Sequence, residues 1–405
     1  MLKEIDKIFD NINKKNIFKN KFILQTNYQP EDILHRTGEI KQIASILAPV
    51  LKGDRPSNLF LFGKTGTGKT ISINYVKDEL LKRKRENNCG LKIEYLNCKL
   101  KKVSDTEYRI LAELIKKLGG SVPDTGLPTE AVYSKFIELI DAEKQLVVLI
   151  LDEIDQPVKK ISGDFLYNLT RLNSELSKSQ ITIVGISNDL TFLEGVDPRA
   201  RSSLSEEEVI FHPYNAIQLQ EILSSRADMA FYPNVVGEGV IAKCAAYAAR
   251  EHGDARRALD LLRVAAELAE RGDSNKISIE NIDEANEKIE KDKVLDTIKS
   301  ESKQFQLILY AIIKLHEQNK EKNIPIFTGD VFNYYKDLCR REKCEDLTQR
   351  RVGDIVQTCD MFGIINVTVI SKGRGGRMRE IKLAINNDLI EKAKAIIEES
   401  LSYTN

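Results

Sequence analysis

Paired cysteines are missing from this sequence, and so is any spacing that binds zinc. Its six cysteines, Cys89, Cys98, Cys244, Cys339, Cys344 and Cys359, include no Cys-x-x-Cys pair and have no histidines at finger spacing. Free thiols in a reducing compartment are expected, and a metal centre held by cysteine is not. Long apolar runs are also missing. None approaches the roughly 20 residues that a bilayer-spanning helix needs. The first residues, "MLKEIDKIFDNINKKNIFKNK", lack the apolar core of a secretory signal. A cytoplasmic protein without a membrane partner is expected. An excess of one charge is absent too, because 61 Lys and Arg balance 61 Asp and Glu. Any affinity for a polyanion must then come from local clusters of charge. What remains is a chain of 405 residues, 42% hydrophobic and 30% charged. That is a soluble globular composition, and a length suited to two or three domains.

The order of elements points to an α/β fold followed by helices. "NLFLFG" (58–63), "LKIEYLNC" (91–98), "LVVLILD" (146–152) and "QITIVGISN" (180–188) read as strands with helical stretches between them. The third is an unbroken apolar run, as a strand buried on both faces should be. Strands alternating with helices predict a parallel sheet. After residue 213 the strands stop, and "NAIQLQEILSSRADMAF", "GVIAKCAAYAAREHG" and "DARRALDLLRVAAELAERG" predict a small all-helical domain. The predicted division is an α/β core over 1–212, a helical domain over 213–296 and a third domain over 297–405. In that last part, three helices followed by a two-stranded hairpin have the layout of a winged helix.

Within the core, "GKTGTGKT" satisfies G-x-x-x-x-G-K-[ST] between a strand and a helix. Gly63, Lys64, Thr65, Gly66, Thr67 and Gly68 would form a loop whose backbone N–H groups cradle phosphates at a helix N-terminus. Lys69 is expected to reach the β- and γ-phosphates, and Thr70 to bind magnesium. Asp152, at the end of "LVVLILD", is placed to hold Mg²⁺ beside Thr70, and Glu153 to polarise an attacking water. An acidic pair after a strand is often only a helix cap, but beside a phosphate loop it indicates hydrolysis of ATP to ADP. Asn188, ending the next strand, could orient that water or the γ-phosphate. In "HGDARRAL" either Arg256 or Arg257 could fold over the phosphates.

Near the C-terminus, "SKGRGGRMREIKL" sets Lys372, Arg374, Arg377 and Arg379 among three glycines. Residues 301–405 carry 17 Lys and Arg against 15 Asp and Glu, so a nucleic-acid face there must be concentrated. The turn by itself fits a solvated hairpin tip as well as a wing entering a DNA groove. Glycine permits close backbone approach, and arginine suits a narrow, electronegative minor groove. Arg350 and Arg351 begin the predicted recognition helix, whose first residues face the major groove in such motifs.

The chain resembles the AAA+ ATPases, specifically the archaeal initiators related to eukaryotic origin-recognition and helicase-loading proteins. The resemblance covers nearly the whole sequence. It rests on "YQPEDILHRTGEI", "GKTGTGKT", "LILDEID", "GISN", "PRARSSL", "YNAIQLQEILSSRA", "GDARRALDLL" and the terminal winged helix. It implies that "YQPEDILHR" lies by the adenine, and that Tyr214 and Arg226 contact the nucleotide from the lid. It also implies that Arg256 and Asn188 sense the γ-phosphate, and that "LGGSVPDTGLPTEAVY" meets DNA. Where many relatives place an intersubunit arginine, this chain has Ser203, so Arg199 or Arg201 would have to substitute. A slow ATP/ADP switch is therefore expected rather than fast turnover in a ring. The implied partners are double-stranded origin DNA, an MCM-type replicative helicase and further initiator copies. A DNA-binding transcriptional regulator with an ATPase switch, or a clamp-loader-like motor, would share many of these features.

Overall fold

The computed structural model describes residues 17–87, 90–99, 106–123, 126–161, 164–192, 204, 206–272, 274–319, 324–371 and 377–402. The chain divides into two compact units, Met1–Ile282 and Asp283–Asn405.

The first unit is built on five parallel strands: β1 (Asn58–Gly63), β2 (Leu91–Asn97), β3 (Leu146–Asp152), β4 (Gln180–Ser187) and β5 (Glu206–Phe211). Their order across the sheet is β2-β3-β4-β1-β5, and every pairing is parallel. Alternate side chains feed two cores, as the two-residue period of a strand requires. Leu59, Leu61, Val148, Ile150, Val184 and Ile186 face α1 (Thr37–Leu47) and α2 (Lys69–Asn87). Phe60, Phe62, Leu149, Leu151, Ile181 and Ile183 face α3 (Glu107–Lys117), α4 (Thr129–Asp141) and, beyond α5 (Asp155–Lys160), α6 (Asp164–Glu175). β5 does not stand out in the sequence. It opens "EEEVIF", and only Val209 and Phe211 are buried, because an edge strand needs little apolar surface.

Register then decides where function can sit. Phe62 pairs with Ser187, Asp152 with Ile186, and Asn97 with Asp152, so the C-terminal ends of four strands reach one edge together. Open α/β sheets bind ligands outside that edge.

The helical part of this unit comprises α7 (Ala216–Ala230), α8 (Val240–Arg250) and α9 (Ala255–Arg271). Asn215 and Gln218 close a reciprocal capping box at the start of α7. The first described residues lie on this helical part. Phe18 bridges and packs on Phe231 at 5.3 Å, and Lys21 pairs with Glu267 at 2.9 Å. The start of α9 in turn rests on the glycine-rich loop. Ala255 N–H donates to the Gly66 carbonyl at 3.2 Å, and Lys64 Nζ lies 3.4 Å from His252 Nδ1. Asp254 caps α9 by accepting from Arg256 N–H and Arg257 N–H. The same carboxylate lies so close over Gly66 that a Cβ there would collide with it.

The second unit gathers α11 (Lys303–Asn319), α12 (Thr328–Arg341), α13 (Gln349–Met361) and α14 (Asn387–Ser402) around one core. The long helix α10 (Ile279–Ser300) contributes Ile298 to that core. Thr348 caps α13 as expected, and Val352, Val356 and Cys359 are buried. The hairpin of β7 (Ile365–Ser371) and β8 (Arg377–Leu383) gains a third strand, β6 (Ile326–Phe327), through the pair Ile326–Ile381. Two residues are too few to show a strand's alternation, so the sequence suggests only the hairpin.

The docking of α9 on the loop yields a prediction. Gly66 sits at φ +73° against Asp254, so Gly66→Ala should destabilise the first unit by about 1–2 kcal/mol from the backbone alone. Asp254→Ala should cost about 1 kcal/mol as a lost cap. The double variant should lose less than the two single losses combined, because the collision is gone. Urea unfolding of the three variants measures this, and strict additivity would contradict the contact.

Candidate nucleotide site and nucleic-acid interface

At the C-terminal edge of the sheet the glycine-rich loop leads into α2 and borders a cleft of about 420 Å³. That is ample for a nucleotide-sized ligand. Lys69 is 5% exposed. Its ammonium donates to the Gly63 carbonyl at 2.7 Å, the Lys64 carbonyl at 2.8 Å and Asn188 Oδ1 at 2.9 Å. Burial lowers its pKa to about 8, partly opposed by the charge of Asp152. Gly63, Lys64 and Asn188, from two separate segments, therefore converge on the Lys69 ammonium.

Thr70 and Asp152 are also brought together, the hydroxyl donating to Asp152 Oδ2 at 2.9 Å. Tyr95, from β2, donates to the same carboxylate oxygen at 2.7 Å. Burial and that negative charge push the phenol's pKa upward. Tyr95 was not anticipated, since a tyrosine inside a strand reads as packing. Glu153 has φ +56°, a left-handed conformation unusual outside glycine. The chain leaves the sheet there, and Ile154 N–H returns to the Ile186 carbonyl at 3.1 Å. The Glu153 carboxylate lies 3.2 Å from Lys99 Nζ, a second unanticipated neighbour.

Tyr214, Arg226 and Arg256 all line the cleft. The Arg226 guanidinium stacks on Tyr28 at 4.4 Å, and its buried Nη1 finds no hydrogen-bond partner among the described residues. Arg257, the alternative to Arg256, turns instead to Glu251 at 3.2 Å. Arg36, buried beside the loop, is the largest omission from the sequence reading. It was quoted only within the stretch near the adenine.

The donor set fits a nucleotide with magnesium. Orphaned Arg226 Nη1 and the inward-facing loop suit a polyanion. One hydroxyl and one carboxylate at Thr70 and Asp152 suit Mg²⁺, which takes few protein oxygens and completes its shell with phosphates and water. No cluster of three or more His, Cys, Asp or Glu side chains that could hold a metal ion occurs among the described residues.

In the second unit, Arg350 and Arg351 lie exposed at the start of α13, with Arg351 3.8 Å from Asp354. Arg379 is exposed on β8 opposite Val369. Arg377 begins β8, but its side chain is not among those described. Lys372 and Arg374 lie outside the described residues, as do Arg199, Arg201 and Ser203. No helix among the described residues is long and apolar enough to cross a membrane.

Comparison with known proteins agrees with this arrangement. Residues 53–192 match the AAA domain, 220–287 the Cdc6 AAA+ ATPase-type lid domain, and 296–393 the CDC6 C-terminal winged helix domain. The chain is 48% identical over 386 residues to an ORC1-type DNA replication protein of Pyrococcus abyssi, covering 94% of this chain and 91% of that one. It is 47% identical over 400 residues to ORC1-type DNA replication protein 1 of Archaeoglobus fulgidus, covering 98% and 95%. The solved structure of the Aeropyrum pernix ORC1 protein, in complex with DNA, superposes with a TM-score of 0.82 at 38% identity, covering 96% of this chain and 98% of that one. With its parallel-sheet AAA core, helical lid and winged helix, the chain belongs to the ORC1-type family of DNA replication proteins.

Proposed function

We propose that this chain is an ATP-dependent replication initiator that binds double-stranded origin DNA and helps load the replicative helicase, using slow hydrolysis of ATP as its switch. The observation that carries the reading is the meeting of Lys69, Thr70, Asp152 and Asn188 at one sheet edge. The Lys69 ammonium would hold the β- and γ-phosphate oxygens while the N–H groups of the loop surround them. Thr70 and Asp152 would hold magnesium, which supplies charge neutralisation on the phosphate oxygens. Glu153 would accept the proton of the attacking water, Asn188 would orient that water, and Arg256 would reach across from α9 to the γ-phosphate. Tyr214 and Arg226 would hold the nucleotide from the lid.

Lys69→Ala should abolish nucleotide binding, because the charge facing the phosphates is lost. Glu153→Gln should bind as before and hydrolyse about 10²–10⁴-fold more slowly, the usual scale for a general base. Phosphate release and nucleotide titration on both variants test this, and normal hydrolysis by Glu153→Gln would remove that residue from the mechanism.

The depressed pKa of Lys69 sets a pH dependence. Free Lys69 titrates near about 8, and phosphates beside it favour the charged form, raising the pKa on binding. Binding should therefore take up a proton, and affinity should fall as pH rises above about 8. Calorimetry at pH 8.5 in two buffers of different ionisation enthalpy measures the proton directly, and zero uptake would contradict the scheme.

For DNA, the exposed Arg350 and Arg351 are the groups best placed to read bases. Changing them should cost about 1–3 kcal/mol, selectively on an origin-derived duplex. Changing Arg374 and Arg377 together should flatten the slope of log K against log salt by roughly 2 on any duplex. Fluorescence anisotropy across a salt series separates the two effects. An unchanged slope would return the glycine-arginine turn to a solvated hairpin tip.

A further inference from the structure

Arg36 stands just before α1 and does not line the cleft, yet its side chain is only 5% exposed. Such a cation needs partners on every side, and here they come from the loop, from the chain after β5 and from α1. Nε donates to the Thr67 carbonyl at 2.8 Å. Nη2 donates to the His212 carbonyl at 2.6 Å, and Nη1 to Glu39 at 2.7 Å. The guanidinium plane also lies 4.0 Å from the ring centre of Tyr214 and 5.6 Å from that of Phe211.

The bond to Thr67 matters through the geometry of the peptide unit. The Thr67 carbonyl and the Gly68 N–H belong to one planar trans peptide, so they point in opposite directions. Holding the carbonyl on Arg36, which does not line the cleft, therefore turns the Gly68 N–H, immediately before Lys69, away from Arg36. Gly68 itself offers no resistance to rotation of that peptide. It sits at φ +95°, where glycine moves at low cost. The orientation of this N–H is fixed from outside the loop.

We propose that Arg36 is a positioning residue for phosphate binding, which locks the Thr67–Gly68 peptide of the loop and ties it to the chain leading into the lid. The second half of the proposal rests on His212 and Tyr214. These residues connect β5 to α7, and the guanidinium that holds Thr67 holds them as well. A shift of the lid entry is thereby transmitted to the N–H donor at Gly68. The proposal rests on the nucleotide reading of the cleft and adds a residue that need not touch the ligand. Lysine cannot replace arginine here, because a point ammonium has neither the planar fork nor the face that stacks on Tyr214.

The test compares ADP binding by calorimetry for the full chain and three variants, each checked for native circular dichroism. Arg36→Lys keeps the charge and should weaken ADP binding by about 10–100-fold, the scale of one lost charge-assisted donor. Glu39→Ala leaves the guanidinium without its carboxylate anchor and should weaken binding by up to about fivefold. Ile43→Ala opens a cavity on the same helix, away from the loop, and should bind ADP like the unsubstituted chain despite lower thermal stability. Should Arg36→Lys fail to fold, Glu39→Ala still decides. ADP affinity unchanged in whichever of Arg36→Lys and Glu39→Ala is folded would overturn the role of Arg36. So would an equal loss in Ile43→Ala, since binding would then follow stability alone. Absence of ADP binding by the unsubstituted chain would overturn the nucleotide reading together with this one.

Discussion

A lysine ammonium held almost out of water must find oxygen on every side, and the first unit is folded around meeting that need at Lys69. Two loop carbonyls and the Asn188 amide supply three of the contacts, while Asp152 supplies the opposing charge nearby. These groups come from the ends of β1, β3 and β4, so the site exists only while three strands keep register. A slip of one residue would exchange the two faces of a strand and carry its terminal residue away from the edge. The run "LVVLILD" resists such a slip because every residue in it is buried. An apolar core thus fixes the position of a single carboxylate. Burial of the ammonium carries a desolvation cost, which lowers its pKa and which an incoming polyanion would offset.

Legibility followed sequence distance. The loop, the acidic pair after β3 and the asparagine after β4 were readable because each is a local pattern tied to a strand end. Arg36 was not, since its partners lie 31 and 176 residues along the chain and nothing local marks a buried guanidinium. Tyr95 and Lys99 escaped for the same reason. Each acquires its meaning from β3 lying beside β2. The choice between Arg256 and Arg257 could not be made from adjacent positions on one helix, but the pairing of Arg257 with Glu251 leaves Arg256 lining the cleft. Edge strands form the other blind spot. β5 and β6 bury too little to impose an apolar alternation, although β5 sets the sheet's edge beside the loop.

Backbone conformation adds evidence that composition could not. Glu153 in the left-handed region costs of order 1 kcal/mol, and such a cost persists only where the surroundings over-determine it. Here the turn is pinned by Ile154 N–H on the Ile186 carbonyl and by Lys99 on the carboxylate. A helix cap would require no such conformation. The chain is bent so that the carboxylate leaves the strand at the edge where Asp152 ends it, as a base acting beside a metal-binding carboxylate would need.

The second unit poses the same question with the charges reversed. Its net charge is close to balance, so attraction to DNA cannot come from the domain as a whole. Arg350 and Arg351 nevertheless sit in the first turn of α13, where the helix dipole disfavours cations. Asp354 relieves only one of them, at 3.8 Å and in solvent, where such a pair contributes little. Stability alone would favour an acidic first turn. Two arginines there make sense if an anion approaches that helix end, because its free N–H groups and both guanidinium groups would then face the same phosphates and base edges. What weakens the helix in isolation is what would strengthen it on DNA.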